Sequence, residues 1–358
     1  TKVIRSIEID GLEITQKAIE RIAARTKPES KPGAPQAAPQ VEVQSIRLDD
    51  ALLRLDKTSI GPLDARIRLG ANNAPQEASV LTRDGKLRID VTPGQSNYRI
   101  DARAKSWTLP AGPAIVFDEL TIKGVATPAG ANLDQVAARL YGGTVKGGTE
   151  IAWRKGLQLK GSFAVSAVEL KSLVPLLAPG KNMSGKLDAK PVFSAGAASA
   201  GQLAGALRLD TPFNVRDGVL YGVDIQKAAT SLVKQGSGGG ETRFDELSGH
   251  LALDRGSYRF TQLKISSGSL AAAGNVGISP RKELSGRIEA RVTVAGASAT
   301  VPLNVTGTTD SPLLLPTGGT VAGAAVGTAI LGPGVGTSVG ARIGNWTENL
   351  FGSKEQKK

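Results

Sequence analysis

The stretch LDARIRL at residues 63–69 decides the fold, because it places apolar side chains at alternate positions. A period of two matches a β-strand with one dry face, whereas a helix needs apolar residues three and four positions apart. Dipeptides such as Asp84-Gly85 and Arg255-Gly256 separate such runs and favour tight antiparallel connections. The sequence therefore predicts a mainly β fold with antiparallel strands. The same alternation recurs at residues 7–9, 87–91, 157–159, 251–253 and 288–294.

The composition limits both the core and the chemistry. Only 4% of the 358 residues are aromatic and 44 are glycine, so thin sheets are favoured over a deep globular core. Cysteine is absent, which excludes disulfides, thiolate metal sites and cysteine nucleophiles. The absence is also compatible with an oxidising compartment, in which stray thiols are a liability.

The formal charge of +12 has three possible explanations, which are binding to nucleic acid, binding to an anionic membrane surface, or simply solubility. At residues 66–69 and 287–292 the charges alternate with apolar residues, which is typical of the solvated face of a strand. No block of Lys and Arg interleaved with aromatics is present, so we expect no nucleic-acid partner.

Helical signals are few and short. Asn132 can cap a helix on which Leu133, Val136, Ala137 and Leu140 share a face. Residues 168–177 and 224–234 show similar patterns, so the sequence predicts short helices between segments of sheet.

A weak internal repeat joins the N-terminal strands. Residues 5–10, RSIEID, resemble residues 44–49, QSIRLD, and each copy leads into another apolar strand. Repeated strand units predict a body extended by the addition of similar elements.

The residue types needed for catalysis or metal binding do not converge. The single histidine, His250, is isolated in a strand and cannot supply the three or four ligands of a metal site. Acidic residues are scattered, and Gly236 to Gly240 follow a helix instead of opening one, unlike a phosphate-binding loop. We therefore expect no catalytic residues, no metal site and no cofactor, and a protein that is not an enzyme.

The C-terminal segment differs from the rest of the chain. Residues 318–340 carry no charge, and Pro333 divides the region into two short halves, 321–331 and 335–351, which predicts a helical hairpin. Glycines every four or five residues allow close helix packing, either in a membrane or on the protein's own sheet, and a disordered segment is the third alternative. The predicted packing glycines are Gly323, Gly327, Gly332, Gly336, Gly340 and Gly344.

Three stretches taken together resemble the AsmA-like family of bacterial envelope proteins, specifically the C-terminal region of its members. They are LYGGTVKG at 140–147, FNVRDGVLYGVDI at 213–225 and TRFDELSG at 242–249, and the resemblance extends from Leu120 to Gly307. The first is interpreted as a helix end entering a strand, and the second as a strand, a turn and a helix entry. Gly142-Gly143 and Asp217-Gly218 are predicted to provide turns with positive φ.

The resemblance implies a periplasmic protein tethered to the inner membrane, with an elongated, curved β-sheet that forms an apolar groove. It also implies carriage of phospholipid toward the outer membrane in support of outer-membrane biogenesis, similar to bridge-like lipid-transfer proteins. The family's N-terminal membrane helix is missing from this chain, which starts at Thr1 and is interpreted as part of a longer precursor. Membrane contact and a membrane-protein partner in the inner or outer membrane are further expectations.

In-phase alternation supplies the candidate lipid-binding residues. A sheet with one apolar face shelters acyl chains while the headgroup stays in water. The residues expected to line the groove are Leu207, Leu209, Leu251, Leu253, Ile288, Val292 and Val294.

The predicted organisation has six segments along the chain. Residues 1–25 form a β segment with a short helix, and 26–40 are a flexible linker rich in Pro and Ala. The remaining segments are a β-sheet segment at 41–128, a β-sheet segment with short helices at 129–210, an AsmA-like C-terminal β module at 211–310 and the glycine-rich hairpin at 318–351.

Two other functions use the same features. A structural scaffold or assembly factor for outer-membrane proteins would bind its clients through exposed strand edges and carry no lipid. A secreted adhesin-like β body is the third reading, although the sequence has no sugar-binding or metal motif to support it.

Overall fold

The computed structural model describes residues 2–15, 41–55, 58–110, 112–154, 156–230, 238–294 and 297–317. Strands make up 72% of the structure, which confirms the mainly β class. The predicted linker at 26–40 and the predicted hairpin at 318–351 lie outside the described residues.

Strands make up most of the elements in the described ranges. Among the described residues, three 3-10 turns lie at Ala71–Asn73, Ala200–Gln202 and Ala204–Ala206. In chain order the other elements are β1 (Lys2–Ile4), β2 (Ile7–Asp10), β3 (Glu13–Thr15), β4 (Val41–Val43), β5 (Ser45–Leu55), β6 (Thr58–Leu69), β7 (Pro75–Thr82), β8 (Leu87–Pro93), β9 (Tyr98–Thr108), β10 (Val116–Thr127), β11 (Gly130–Leu140), β12 (Gly143–Ala152), β13 (Leu157–Glu169), α1 (Leu170–Leu177), β14 (Met183–Ala189), β15 (Val192–Ala197), β16 (Arg208–Val223), α2 (Ile225–Thr230), β17 (Gly238–Asp254), β18 (Ser257–Ser266), β19 (Leu270–Ile278), β20 (Leu284–Val294), β21 (Ala297–Gly307) and β22 (Pro312–Pro316).

The chain divides into two units. Unit 1 comprises Thr1–Ala164 and Phe193–Ala206, and unit 2 comprises Val165–Val192 and Leu207–Lys358. In unit 1, each strand from β5 to β11 pairs antiparallel with the strand that follows it in the sequence, so β5 to β12 form a meander. In unit 2, β14 pairs with β16, and β16 to β22 continue as an antiparallel meander.

The weak N-terminal repeat forms a parallel ladder. Ile7 pairs with Ile46 and Asp10 with Asp49, so the two copies lie side by side in register. In the pairings of β1 with β4 and of β3 with β5, the paired residues have the same separation in the sequence as Ile7 and Ile46. The repeat is therefore confirmed as a structural unit, but the sheet is mixed at this end because the two similar strand entries pair in the same direction.

The helix predicted after Asn132 is wrong, because these residues form strand β11, which pairs with β10 and β12. A β-bulge shifts the register between Leu133 and Val136. The extra residue brings Leu133, Val136 and Leu140 toward the same face, with the spacing that a helix would also give.

The predicted turn at Asp217-Gly218 is also wrong, because both residues lie inside the continuous strand β16. Asp217 has a φ of 53°, as expected for a bulge, but the chain does not reverse there. A Cβ atom at position 218 would meet the ring of Phe244, so close packing against β17 is the role of this glycine. At the first predicted turn, the positive φ values belong to Tyr141 and Gly142.

Both of the other predicted helices are confirmed within the described residues. Glu169 caps α1 by accepting a hydrogen bond from the Lys171 amide at 3.2 Å, and Asp224 accepts one from the Lys227 amide at 2.8 Å at the start of α2. The predicted end of α2, residues 231–234, lies outside the described residues.

Candidate functional site

A continuous row of apolar residues, one of them a glycine, crosses the sheet of unit 1. Residues directly opposite one another on neighbouring strands present their side chains to the same face, so the strand register identifies the row. The row uses one residue from each of nine strands. Its members, called the first apolar row, are Ile9, Leu48, Ala65, Val80, Ile89, Ala102, Ile122, Val136 and Gly147.

A second apolar row runs beside the first on the same face. Its residues stand two positions away on each strand, which keeps them on the same side of the sheet. The second apolar row comprises Ile7, Ile46, Ile67, Ala78, Val91, Ile100 and Gly124.

The opposite face is polar at the corresponding positions. Exposed ion pairs lie there, including Arg88 with Asp90 at 2.8 Å and Arg103 with Asp101 at 3.1 Å. Such pairs contribute little to stability but keep this face in water. The polar row comprises Glu8, Arg47, Arg66, Ser79, Asp90, Asp101, Lys123 and Gln135.

The dimensions of the first apolar row suit an extended hydrocarbon. Strands lie about 4.8 Å apart, so nine strands span roughly 38 Å, which exceeds the ~30 Å hydrocarbon core of a bilayer. Its larger side chains are half-buried or, like Ile9 at 37%, exposed. Unit 1 contains no α-helix within its described residues. The first apolar row is therefore apolar along its length and partly accessible within the described residues. Farther along the same face, Ala104, Leu120, Ala138 and Leu140 form a buried cluster, against which Ile122 and Val136 pack.

Unit 2 has a comparable apolar face, but two helices cover part of it. Helix α2 packs on β17, β20, β21 and β22, and α1 packs on β14. The side-chain hydroxyl of Thr242 accepts a hydrogen bond from the Ile225 amide at 3.0 Å and donates one to the Val223 carbonyl at 2.8 Å. This buried threonine fixes the start of α2 against β17. A core cluster then forms that includes Ala290, Val301 and Leu303.

The structure separates the seven predicted groove residues into different environments. Ile288 and Val292 are only 8% and 4% exposed and belong to the core cluster of unit 2. Leu209 and Leu253 pair directly across β16 and β17, and Leu251 pairs with Phe260. Leu207 precedes β16 and is half-buried. The side chain of Val294 and the six predicted packing glycines lie outside the described residues.

Three of the predicted residues, Leu209, Leu251 and Leu253, form part of an apolar area at one end of unit 2. We call this area the end patch. The ring of Phe260 meets that of Phe213 edge-on, with a centroid separation of 6.3 Å, and Tyr258 is 40% exposed. The strand register places all residues of the end patch on the same face of the sheet. The end patch comprises Leu209, Leu251, Leu253, Tyr258, Phe260 and Ile278.

Unit 1 also contains a cavity of about 670 Å³ beside β10 to β13 and β15. Its lining includes Glu150 and Lys160, whose side chains form an ion pair at 2.8 Å. Val125, which also lines the cavity, alternates to the face of β10 that carries Lys123. No residue of the first apolar row lines this cavity.

The described residues offer no constellation for acid-base or metal chemistry. His250 lies beside Asp210, with its Nε2 atom 2.9 Å from a carboxylate oxygen, on the partly exposed side of β17. Within the described ranges, no group of three or more His, Cys, Asp or Glu residues could hold a metal ion. Asp188 has a pKa below its ordinary value: burial raises it, but hydrogen bonds from Ala167, Arg216 and Ser166 outweigh burial. These contacts join three strands and are structural.

Sequence reasoning missed the apolar rows of unit 1 as a site. Alternation at residues 63–69 and 87–91 identified the strands, but the rows can be recognised only when the register of all nine strands is known. A signal was present in the sequence, because alternation of the same phase recurs in consecutive strands.

An extended sheet with one apolar and one charged face defines the class of protein: a β protein built to present an apolar surface. The model of the AsmA family matches residues 113–263, so the chain carries an AsmA-family region, and the family identified from the sequence is confirmed there. This family is associated with the bacterial cell envelope, including outer-membrane assembly and lipid transport. No curated protein and no solved structure matches the chain. Within the described residues, no helix is long and apolar enough to span a membrane.

Proposed function

We propose that the chain is a non-catalytic phospholipid-binding protein that carries acyl chains along the apolar face of unit 1. The observation that carries this proposal is the first apolar row, which continues across nine strands while the opposite row is polar. Each methylene group transferred from water to such a face contributes about 0.8 kcal/mol. Because neighbouring positions along the row are chemically alike, a bound chain meets many shallow, similar sites and can slide between them.

The match to the AsmA family supports the cellular setting of the proposal. The protein acts in the periplasm, moves phospholipid between the inner and outer membranes and so supports outer-membrane biogenesis. The N-terminal tether to the inner membrane and the membrane contact of the glycine-rich hairpin belong to this proposal. The charged face of the sheet supports it, because a carrier in an aqueous compartment needs one wet side.

The test introduces charge into the middle of the first apolar row. The double substitution Ile89→Asp and Ile122→Asp places two carboxylates where acyl chains would lie, and an ion in hydrocarbon is strongly disfavoured. Native mass spectrometry and lipid extraction of the purified chain should show bound phospholipid in the wild type and a loss of at least about tenfold in the variant.

A matched control uses the same two strands. Thr92→Asp and Thr121→Asp add the same charge to the polar side of β8 and β10, where Arg99 and Arg103 lie opposite. This variant should retain its lipid, and circular dichroism should show that both variants are folded. Equal lipid loss in both variants, or a folded wild type without lipid, would contradict the proposal. The second outcome would favour the scaffold function.

A further inference from the structure

The end patch of unit 2 is bordered by two basic turns. The β17–β18 turn carries Arg255, and the β19–β20 turn carries Arg281 and Lys282. These turns extend from the ends of the strands that supply Leu253, Tyr258, Ile278 and other residues of the patch. Apolar surface and positive charge therefore meet at one end of the sheet.

Close contacts make the two turns parts of one rim. A Cβ atom at position 256 would lie 3.9 Å from the Cβ atom of Pro280, so the tips of the turns touch. The β19–β20 turn is held by a hydrogen bond from the Lys282 amide to the Ser279 carbonyl at 2.8 Å. The Thr309 amide donates to the Lys282 carbonyl at 2.9 Å, which attaches the β21–β22 turn to the same rim.

The cations outnumber the carboxylates that could neutralise them. Arg208 lies 3.1 Å from Asp254, which Arg255 approaches only to 3.7 Å while its side chain remains 77% exposed. Within the described part of the chain, Arg281 and Lys282 have no carboxylate at ion-pair distance.

Two further carboxylates, those of Glu283 and Asp310, lie in the turns of the rim. Glu283 accepts a hydrogen bond from the Ser279 hydroxyl at 3.3 Å. Asp310 is bound by the Lys181 ammonium at 2.5 Å. This contact is the main cause, and the more distant charge of Lys282 a smaller one, of a pKa of Asp310 below its ordinary value. The rim therefore has a surplus of positive charge next to the half-buried side chains of the end patch and the exposed ring of Tyr258.

We infer that this end of unit 2 selects anionic phospholipids, with the phosphate at the rim and the acyl chains on the end patch. The inference rests on the proposed function, because it names the headgroup class of the lipid that the chain carries. Charge complementarity is its basis: a net negative headgroup matches the rim, whereas a zwitterionic headgroup brings its own ammonium group toward Arg255 and Arg281. Cations next to an anionic lipid surface contribute about 1 kcal/mol each, which corresponds to about fivefold in binding.

The experiment uses the full chain and vesicles of equal parts phosphatidylglycerol and phosphatidylethanolamine. After incubation the protein is re-isolated, and the two lipids bound to it are extracted and quantified. The wild type should be enriched in phosphatidylglycerol. The triple variant Arg255→Gln, Arg281→Gln and Lys282→Gln should lower the ratio of phosphatidylglycerol to phosphatidylethanolamine at least about fivefold while total bound lipid remains.

The matched control removes three cations from the outer face of the same sheet. Arg259, Lys264 and Arg287 are exposed, and their substitution by Gln gives the same change in net charge. This control should leave the lipid ratio unchanged. Arg281→Gln alone, at a position without positive φ, should shift the ratio in the same direction by a smaller factor and guards against a folding defect in the triple variant.

The outcomes distinguish this inference from the proposed function. A wild type that binds both lipids equally, or an equal shift in the turn variant and the outer-face control, overturns the headgroup selection and leaves lipid carriage intact. Absence of any bound lipid in the wild type overturns the proposed function itself. Selection that disappears in 0.5 M salt supports the inference, because exposed charges are screened at that ionic strength.

Discussion

The apolar faces of units 1 and 2 arise from the same alternating pattern but have different uses. In unit 1 the first apolar row keeps its larger side chains half-buried, and no α-helix occurs among the described residues of that unit. In unit 2, α2 packs over β20 and β21, and Leu303 is fully buried. The comparison teaches that alternation creates an apolar face, whereas the elements that pack against this face, such as α2 in unit 2, decide how much of it becomes core.

The largest expected effect tests this difference directly. Leu303→Ala should lower the free energy of unfolding by about 3 kcal/mol, because it leaves a cavity in a fully covered core. Ile89→Ala in the first apolar row should cost only about 1 kcal/mol, because the wild-type side chain is already partly in water. Urea denaturation followed by circular dichroism measures both. Similar losses for the two variants would show that the face of unit 1 is covered as completely as that of unit 2.

Overpacking gives a second, smaller contrast between the units. In unit 2, a Cβ atom at Gly218 would meet the Phe244 ring, so Gly218→Ala should cost about 2 kcal/mol. In unit 1, position 196 has open space around the corresponding atom, so Gly196→Ala should be neutral. Thermal melts of the two variants provide the measurement. A neutral Gly218→Ala would mean that the β16–β17 contact can adjust without cost.

The smallest effect concerns the carboxylate that joins β13, β14 and β16 in unit 2. Asp188 accepts hydrogen bonds from the Ala167 amide at 3.0 Å, the Ser166 hydroxyl at 3.1 Å and Arg216 at 2.8 Å. Its side chain is one third exposed, so Asp188→Asn should cost only about 1 kcal/mol at pH 7.

The pH dependence of the same variant follows from the lowered pKa of Asp188. A depressed folded-state pKa contributes stability above the ordinary value of about 3.9, and that contribution is lost as the pH falls through the folded-state value. The gap in unfolding free energy between wild type and Asp188→Asn should therefore narrow below about pH 4. A gap that is constant from pH 7 to pH 3 would show that the ionised form has no special role.

The choice of test positions also changes once the structure is known. Val292 has the alternation expected of a groove residue, but it is 4% exposed beneath α2. A charge there would disrupt the core of unit 2 before it could report on a ligand. Ile89 has the same alternation and remains half-buried, so charge at that position reports on the accessible face.

Some features were predictable because they depend on neighbouring residues only. Period-two runs identified β6, β8, β17 and β20, and the short helical patterns identified α1 and α2. The pattern failed at Leu133 and Val136, where a bulge imitates helical spacing. It also failed at Asp217-Gly218, where a positive φ lies inside a strand and makes no turn.

The amino-acid sequence by itself determined the β class, the AsmA-family region and the existence of one apolar and one charged face on strands with period-two alternation, such as β6 and β8. These properties follow from alternation and composition, which act locally along the chain. Only the tertiary structure decided that Ile89 is accessible whereas Val292 is buried, and that Arg255 and Arg281 border one patch. Register and helix packing join residues that are far apart in the chain, and no local pattern encodes which strands or helices will meet.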